Sequence, residues 1–322
     1  MDSAPAAPPA ASPALHGLTA LAHAAAHPAE EPCRCAGGLL GVLADRDDGT
    51  VVRHGDLVVK AHAPGTDPEG HRARLALAAH RDVAGVLLPP LPLPRSGPDA
   101  LDGRPVTVWP YGPPVDPADP DAAPWEEAAG LLALLHRTPP PPGHRERLPA
   151  MRAPVKAALA VDRMRRTAPD HPATATVLDA WRTLPEDPAG DHRLLCHGDF
   201  HLGQLVRDTR AGARAPWRLI DVDDLGLGDP AWDLARPAAW FAAGILPPEI
   251  WSRFLGAYRD AGGPAVGADA DPWGRLDVPA RALTVQTAAL ALAKSTAGAR
   301  PLDEVEEVMI DTCARIAGHR TG

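Results

Sequence analysis

The chain has 322 residues, a formal net charge of −9 and only 4% aromatic side chains. Its length is sufficient for about two domains, or for one two-lobed enzyme with a full hydrophobic core. The acidic balance, the lack of a run of basic residues and the lack of an apolar run of membrane-spanning length argue against nucleic-acid-binding and membrane proteins.

Residues 1–36 predict an N-terminal extension that is flexible or partly helical. Residues 1–14 are rich in Ala and Pro, and the apolar spacing from Leu15 to Ala26 predicts a short helix. The start of the chain lacks the basic region and the unbroken apolar core of a signal peptide. Four cysteines, at positions 33, 35, 196 and 313, are too sparse and uneven for a disulfide scaffold. We therefore expect a cytoplasmic protein.

The following segment predicts a small antiparallel sheet. Three apolar runs, Leu39 to Ala44, Thr50 to Arg53 and Leu57 to Lys60, are separated by turn sequences that contain Asp and Gly. The third run ends on Lys60, which is one of only three lysines in a chain with 29 arginines. A lysine is therefore uncommon here, and its position at a strand end suggests a function.

A helix and a further strand are predicted next. Residues 67–83 begin with the helix-start pair Asp67-Pro68, and their Glu69 is the only Glu between Lys60 and the next strand. Residues 104–112 predict a strand that leaves the sheet through a proline-bounded connector. The remainder is predicted to be mainly helical, with helices at Trp125 to His136, twice within 154–183, and at Pro248 to Ala261, Leu276 to Ala297 and Leu302 to Ala317.

Between these helices, residues 193–224 predict a β-hairpin that carries polar side chains at one end. A short apolar run leads into His197-Gly198-Asp199, and the two strands of the hairpin are predicted at Leu205-Val206 and at Trp217 to Ile220. In an antiparallel pair, the residue before the first strand lies beside the residue after the second, so Gln204 and Asp221 should meet. A few oxygen donors of this kind suit magnesium carried in on a nucleotide. The hairpin therefore predicts a phosphoryl-transfer site.

A capped helix should follow the hairpin. Asp229 is placed as its N-cap, Pro230 occupies the first helical position and Asp233 falls in the first turn. The pair Arg236-Pro237 should end or kink this helix, because the residue before a proline avoids the helical region.

Together these motifs resemble the aminoglycoside phosphotransferase and choline-kinase family, a branch of the protein-kinase-like fold. The resemblance is carried by His197-Gly198-Asp199, by Gln204, by Ile220-Asp221 and by Asp229-Pro230-x-x-Asp233-Leu234-Ala235. That family usually has Asn at the position of Gln204, whereas this chain contains no Asn. The run His-Gly-Asp-x-His-Leu-Gly-Gln is most similar to the maltokinase branch.

The resemblance implies an α+β, two-lobed fold with a small antiparallel-sheet N-lobe and a larger, mainly helical C-lobe. We expect the N-lobe at 37–108, the hinge at 109–115 and the C-lobe at 116–322. It also implies that Lys60 contacts the α and β phosphates of ATP or GTP and pairs with Glu69. Backbone groups near Trp109 and Tyr111 would bind adenine.

For the chemical step, the resemblance implies that Asp199 acts as the base and that His197 braces the loop. Mg²⁺ would be held by Gln204 and Asp221, with Asp223 as a candidate ligand for a second ion. The acceptor is expected to be a hydroxyl of a small molecule such as a sugar, an aminoglycoside or an amino alcohol. C-terminal helices would form its pocket, and the oligomeric state is not predicted.

Three other interpretations remain open. A metal-dependent hydrolase could use a cluster made from His197, Asp199, His201, Asp221 and Asp223. A nucleotide-binding module without turnover is suggested by Gln204 in place of Asn. A kinase that acts on Ser or Thr of a peptide would use the same catalytic groups. Several acids near the C-terminus could attract a cationic substrate but are more often a solvated helix face, namely Asp269, Asp271, Glu304, Glu306, Glu307 and Asp311.

Overall fold

The computed structural model describes residues 13–27, 40–46, 48–94, 97–186 and 193–318. Most of the predicted N-terminal extension, including residues 1–12 and 28–36, lies outside these ranges. The described residues form a small antiparallel-sheet lobe followed by a larger, mainly helical lobe, which is the predicted α+β arrangement.

The small lobe is built on a five-stranded antiparallel sheet in the order β1-β2-β3-β5-β4. Its strands are β1 (Leu40–Arg46), β2 (Gly49–His54), β3 (Leu57–His62), β4 (Ala100–Leu101) and β5 (Arg104–Pro110). The three strands predicted around Lys60 and the strand predicted from Arg104 are confirmed. The two residues of β4 are too few to show an alternating pattern, so the sequence did not predict that strand.

Alternation along β3 separates the core of this lobe from its functional face. Val59 and Ala61 are fully buried against helix α1 (Pro13–Ala26) in a cluster that also contains Leu18. Since successive side chains of a strand point to opposite faces, Lys60 and His62 lie on the other face of β3. That face meets the large lobe.

Helix α2 (Pro68–Ala78) follows β3, packs against the large lobe through Leu77 and Ala78, and is shorter than predicted. The Asp67 side chain caps its N-terminus by accepting hydrogen bonds from the backbone N–H groups of Glu69 and Gly70. The chain then forms a separate 3₁₀ turn at Arg81–Val83, whose own cap is His80. Residues 79–83 therefore do not continue α2.

The large lobe is mainly helical, and apart from α6 its helices were predicted with small shifts at their ends. They are α3 (Trp125–Arg137), α4 (Ala153–Thr167), α5 (Thr174–Trp181), α6 (Ala235–Ala243), α7 (Pro248–Asp260), α8 (Trp273–Gly298) and α9 (Glu304–Gly318). Small side chains on α8, such as Ala288 and Ala289, are fully buried in a cluster with Met164 of α4 and Met309 of α9. None of the helices in the described ranges is long and apolar enough to cross a membrane.

Two short strand pairs hold the loops that contain Asp199 and Asp221. Strand β6 (Leu194–Cys196) pairs with β9 (Gly226–Gly228), and β7 (Leu205–Arg207) pairs with β8 (Trp217–Leu219), which confirms the predicted hairpin. Backbone groups of the hairpin bond to a segment of the small lobe on one side and to the hinge on the other. Leu88 N donates to Leu219 O, and Arg207 N donates to Pro113 O, both at 2.9 Å. The hairpin is therefore attached both to the small lobe and to the hinge.

The sequence predicted a helix that begins at Asp229 and that Arg236-Pro237 ends or kinks; the predicted start and the predicted end are both wrong. Asp229 and Pro230 start a 3₁₀ turn at Pro230–Trp232, and α6 then begins at Ala235 and runs through Pro237 to Ala243. Pro237 falls in the first turn of α6, where backbone N–H groups have no partner within the helix. The missing N–H of proline therefore costs no helical hydrogen bond.

Candidate active site

The side chain of Lys60 extends from strand β3 of the small lobe to the end of the hairpin. Its ammonium lies 2.7 Å from Asp221 Oδ1 and 2.8 Å from Asp223 Oδ2. Burial alone would lower the pKa of Lys60, but these two carboxylates outweigh it and raise the pKa above its ordinary value. Lys60 is thus a fixed cation at the point where the two lobes meet.

Asp221 lies just beyond β8, in the backbone conformation that the turn requires. It has a left-handed φ of 62°, which few residues other than Gly adopt and which Asp tolerates better than most. Gln204 Nε2 donates to Asp221 Oδ2 at 3.3 Å, and Ile220 N donates to Gln204 O at 2.9 Å. The predicted meeting of Gln204 and Asp221 at one end of the hairpin is therefore confirmed.

Asp221 and Asp223 each direct an oxygen at one cationic atom, the ammonium of Lys60. Carboxylate oxygens that converge in this way, with an amide beside them, form a donor set that suits a hard divalent cation such as Mg²⁺. The pKa of Asp223 is well below its ordinary value; burial opposes this shift, whereas the hydrogen bond from His62 and the charge of Lys60 cause it. The residues present therefore fit a magnesium ion.

His62 connects this acidic pair to β5. Its Nδ1 lies 3.0 Å from Asp223 Oδ2, and its Nε2 lies 2.7 Å from Thr107 Oγ1, which also accepts a 2.8 Å hydrogen bond from Trp109 Nε1. The side chain of Trp109 is thereby connected to the carboxylate cluster.

Glu69 and Tyr111, which were expected to take part in nucleotide binding, make other contacts in the structure. Glu69 is exposed in the first turn of α2, where its backbone N–H bonds the Asp67 cap, and the ion pairs of Lys60 are made with Asp221 and Asp223 instead. Tyr111 donates its backbone N–H to Asp56 O at 2.7 Å, and its ring lies under the guanidinium of Arg53 at 3.4 Å. That N–H is therefore already used within the protein.

Asp199 follows β6 and is held between two cations. Its Oδ2 lies 2.8 Å from Lys156 Nζ on α4, and its Oδ1 lies 3.0 Å from Arg236 Nη2 on α6. Burial would raise the pKa of Asp199, but Lys156 and then Arg236 bring it well below the ordinary value. Lys156 also bonds Asp224 Oδ2 at 2.6 Å, so it bridges the loop after β6 and the turn after β8.

Asp233 fixes the backbone of the loop that carries Asp199. This buried carboxylate accepts hydrogen bonds from the backbone N–H groups of His197, at 2.6 Å, and Gly198, at 2.7 Å. His136 Nε2 lies 2.9 Å from the same carboxylate, and His197 Nε2 lies 2.8 Å from Ile220 O. Gly198 adopts a left-handed φ of 82° against the carbonyl of Asp224, which leaves no space for a Cβ. Asp233 and His197 thus position the loop.

A cleft opens beside Asp199 and contains both cations. The residues that line it are Ala153, Lys156, Gly198, Asp199, Phe200, Trp232, Arg236, Leu283 and Gln286. Apolar and polar side chains contribute about equally to its wall, and the charged groups Lys156, Asp199 and Arg236 converge in it.

The geometry does not support the hydrolase cluster. Over the described ranges, the His, Cys and carboxylate groups close enough to share an ion are His62, His71 and Asp223, and separately His136, Cys196 and Asp233. Asp199 instead lies against Lys156 and Arg236, and two cations at 2.8 and 3.0 Å oppose a metal ion on that carboxylate.

Sequence reasoning missed several of these residues. Lys156 is one of only three lysines, so its scarcity was a usable signal. His62 lies two positions after Lys60 and therefore on the same face of β3, which strand periodicity could have shown. No sequence signal marked Arg236 or Gln286, because each reaches the cleft from a helix distant in sequence from Asp199.

The comparisons with known proteins agree with this geometry. The family model described as "Phosphotransferase enzyme family" matches residues 42–276. Among solved structures, a choline/ethanolamine kinase family protein from Mesorhizobium loti is similar to this chain at 18% identity, with a TM-score of 0.52 and 89% of each chain covered. Choline kinase LicA from Streptococcus pneumoniae is similar at 14% identity, with a TM-score of 0.58, 87% of this chain covered and 93% of the other.

A third similar structure is a thermostable mutant of aminoglycoside phosphotransferase APH(4)-Ia in a ternary complex with AMP-PNP and hygromycin B. It is 15% identical, with a TM-score of 0.56, and the match covers 88% of this chain and 94% of that chain. No curated protein matches the chain significantly. At these identities the structural matches establish the fold, which is that of the kinases and phosphotransferases to which the sequence motifs point.

Proposed function

The chain belongs to the phosphotransferase enzyme family, and from that premise we propose that it transfers the γ-phosphate of ATP or GTP to a hydroxyl of a small molecule. The observation that carries the proposal is the meeting of Lys60, from the sheet of the small lobe, with Asp221 and Asp223 at the end of the hairpin. To bind a nucleoside triphosphate, a kinase uses a cation that contacts the phosphates and carboxylates that hold the metal ion. Lys60 can supply the cation, and Asp221 and Asp223 can supply the carboxylates.

On the nucleotide side, we assign Lys60 to the α and β phosphates. The phosphates would compete with Asp221 and Asp223 for its ammonium, which leaves the two carboxylates available to a metal ion. The similar aminoglycoside phosphotransferase was solved with AMP-PNP, which supports an adenine nucleotide. The adenine is assigned to backbone groups near Trp109 and Tyr111, excluding the Tyr111 N–H that already bonds Asp56.

Gln204, Asp221 and Asp223 are the residues that would hold magnesium. When bound, the ion would neutralise charge on the phosphate oxygens. Gln204 directs its Nε2 at Asp221, so its amide must turn to offer the carbonyl oxygen to a cation. Glu69 is not included among the nucleotide residues, because it is exposed and the ion pairs of Lys60 are made with Asp221 and Asp223.

At the acceptor, Asp199 orients the hydroxyl and takes its proton. The hydroxyl oxygen forms a bond to the γ-phosphorus, the bond from that phosphorus to the β-γ bridging oxygen breaks, and the nucleoside diphosphate leaves. Asp199 is a weak base, since Lys156 and Arg236 lower its pKa. A weak base is sufficient because the transition state of phosphoryl transfer is loose and the hydroxyl proton is lost late. His197 and Asp233 hold the loop in place.

The test is a magnesium-dependent ATP and GTP consumption assay on the purified chain with sugars, aminoglycosides, amino alcohols and hydroxyl-bearing peptides as acceptors. Stimulated turnover with a small molecule supports the proposal, and loss of that turnover with a chelator supports the metal. Stimulation by peptides alone would indicate a peptide kinase. Nucleotide binding without stimulated turnover would favour a binding module, and the absence of nucleotide binding would contradict the proposal.

A further inference from the structure

His71 of α2 is a buried histidine whose ring nitrogens have no hydrogen-bond partner among the described residues. Only 6% of its surface is exposed, and its ring packs on that of His62 with the centroids 4.3 Å apart. Both ring nitrogens keep some accessible surface, so a small ion can reach them. A buried polar group without a partner is costly, and native proteins keep one for a reason such as a bound ligand.

Three possible metal ligands from separate elements meet at this histidine. One donor atom from each of His62 on β3, His71 on α2 and Asp223 in the turn after β8 lies within 4.8 Å of the other two. Rotation of the side chains would bring these donors to the usual zinc–ligand distances of about 2.0–2.2 Å. Two imidazoles and one carboxylate are a donor set found in zinc sites, where a fourth position stays open to water.

The second nitrogen of His62 already has the partner that a metal ligand needs. A metal ion on Nδ1, which lies 2.9 Å from Asp223 Oδ1, requires the ring proton on Nε2. Thr107 Oγ1 lies 2.7 Å from Nε2 and can accept that proton. Such an outer hydrogen bond orients a ligating histidine and makes it a better donor.

Two cations near the cluster oppose an ion there. The ammonium of Lys60 lies 2.8 Å from Asp223, but it also pairs with Asp221 at 2.7 Å and keeps that partner if Asp223 turns away. The charge of Arg74 also acts on His71, but Arg74 Nε donates to Leu225 O at 2.7 Å, which anchors the guanidinium at the backbone. An ion at the cluster therefore competes chiefly with Lys60, and for Asp223.

The neighbouring carboxylate in the same turn is already paired. Asp224 lies 2.6 Å from Lys156 and 3.3 Å from Arg152. Asp223 is instead the carboxylate that contacts a histidine, so it is the one that joins the two imidazoles.

The other group of possible metal ligands, His136, Cys196 and Asp233, does not offer a comparable site. His136 uses both ring nitrogens, one with Tyr258 and one with Asp233. Asp233 also accepts two backbone N–H groups. That cluster is satisfied within the protein, whereas His71 is not.

We propose that His62, His71 and Asp223 form a site for a transition-metal ion such as Zn²⁺, and that an ion bound there inhibits the enzyme. Imidazole nitrogens favour Zn²⁺, Co²⁺ or Cu²⁺ over Mg²⁺, which prefers oxygen ligands. Inhibition follows because the ion occupies Asp223, one of the carboxylates assigned to the magnesium ion of the nucleotide. This second part rests on the proposed phosphotransferase function, whereas the ion site itself does not.

The first test follows Co²⁺ binding to the full chain by visible absorption, because the band of bound Co²⁺ depends on its ligands and geometry. In excess Mg²⁺ and without nucleotide, the protein should bind a single Co²⁺ that Zn²⁺ displaces. Absence of this band, or its loss in excess Mg²⁺, would overturn the inference.

Variants identify the ligands. His71→Phe should weaken Co²⁺ binding by about tenfold or more, since loss of even an outer partner of a metal ligand costs about that much. Lys60→Met should strengthen binding, because its ammonium no longer competes for Asp223. His144→Ala is the control: it removes one ring of the His80–His144 pair and should leave the affinity unchanged.

Equal affinity in folded His71→Phe and the parent protein, or weaker binding in Lys60→Met, would overturn the proposed ligands. Circular dichroism and the melting temperature establish that each variant is folded. Since Lys60→Met alters a different residue and predicts a change of opposite sign, it tests the site even where His71→Phe fails to fold.

The last test measures inhibition of magnesium-dependent turnover at free Zn²⁺ concentrations set by a metal buffer. The Zn²⁺ needed for half inhibition should rise with the Mg²⁺ concentration, and by about tenfold or more in His71→Phe, whose turnover without zinc should equal that of the parent. Stimulation by Zn²⁺, or equal inhibition of both proteins, would overturn the inhibitory role. Co²⁺ binding that depends on His71, in a protein that binds no nucleotide, would support the ion site and contradict the proposed function.

Discussion

At the scale of single residues, the surroundings of Asp199 determine its charge. Lys156 and Arg236 stabilise its charged form, whereas burial opposes it. Asp199 is therefore ionised across the neutral range and ready to accept a hydrogen bond from an acceptor hydroxyl. The same two cations make it a poor ligand for a metal ion, which distinguishes it from Asp221 and Asp223.

Replacement of Asp199 tests this assignment. Asp199→Ala should lower acceptor-stimulated turnover by about 10²–10⁴-fold, the usual contribution of a positioned acid–base group, and should leave nucleotide affinity nearly unchanged. Asp162→Ala, which removes an exposed carboxylate on α4, is the control and should keep full activity. Full activity in Asp199→Ala would mean that another group orients the acceptor.

Lys156 should control the pH at which Asp199 is active. Because its charge lowers the pKa of Asp199, Lys156→Met should raise that pKa, and the acid limb of the kcat/KM profile should move to higher pH. The control is Lys294→Met, an exposed lysine of α8. An acid limb that stays in place in Lys156→Met would show that Asp199 is not the group whose ionisation limits turnover.

At the scale of elements, Asp233 joins the catalytic loop to the region where α6 begins. Two backbone N–H groups, those of His197 and Gly198, and the ring of His136 converge on this one buried carboxylate. The position of Asp199 therefore depends on a turn that lies about thirty residues further along the chain. The hairpin is fixed similarly, through backbone bonds to Leu88 of the small lobe and to Pro113 of the hinge.

Asp233→Asn tests whether the Asp233 carboxylate stabilises the loop that carries Asp199. An Asn offers one acceptor oxygen and places N–H donors against other donors, so we expect a loss of about 3–5 kcal/mol in the free energy of unfolding and a lower kcat. Urea unfolding and turnover measure the two effects. Asp179→Asn, an exposed carboxylate on α5, should change stability by less than about 0.5 kcal/mol. Equal stability of the two variants would contradict the proposed support.

At the scale of the whole molecule, one buried and one partly buried histidine make stability depend on pH. Burial, with His62 as the next cause, lowers the pKa of His71 to about 4, and burial followed by Arg236 lowers the pKa of His201 to about 4. In the unfolded chain both would titrate near the ordinary value of 6.5. As pH falls below about 6.5, the unfolded chain takes up protons that the folded protein does not, so the folded state loses stability.

The free energy of unfolding should therefore be lower at about pH 5 than at about pH 7.5. His71→Phe keeps a ring beside His62 and removes one of the two titrating groups, so the difference between the two pH values should become smaller. His16→Phe changes an exposed histidine and should leave that difference unaltered. An unaltered difference in His71→Phe would mean that His71 does not contribute to the pH dependence.

The amino-acid sequence by itself determined the parts of this protein that depend on neighbours in the chain. Strand alternation and turn residues predicted β1, β2 and β3, helical periodicity predicted α3 and the C-terminal helices, and hairpin geometry predicted the contact between Gln204 and Asp221. These are short-range features, because the pairing residues are separated by one turn or lie on one face of one element.

Only the tertiary structure decided the partners of the charged side chains. Lys60 meets Asp221 and Asp223 rather than Glu69, and Asp199 meets Lys156 and Arg236, at separations of 37 to 163 residues along the chain. Helix α8 brings Gln286 into the same cleft. Such contacts follow from how helices and sheet pack against each other, which no local pattern encodes. The kind of reaction was therefore visible in the sequence, whereas the ion pairs around Lys60 and Asp199 emerged only on folding.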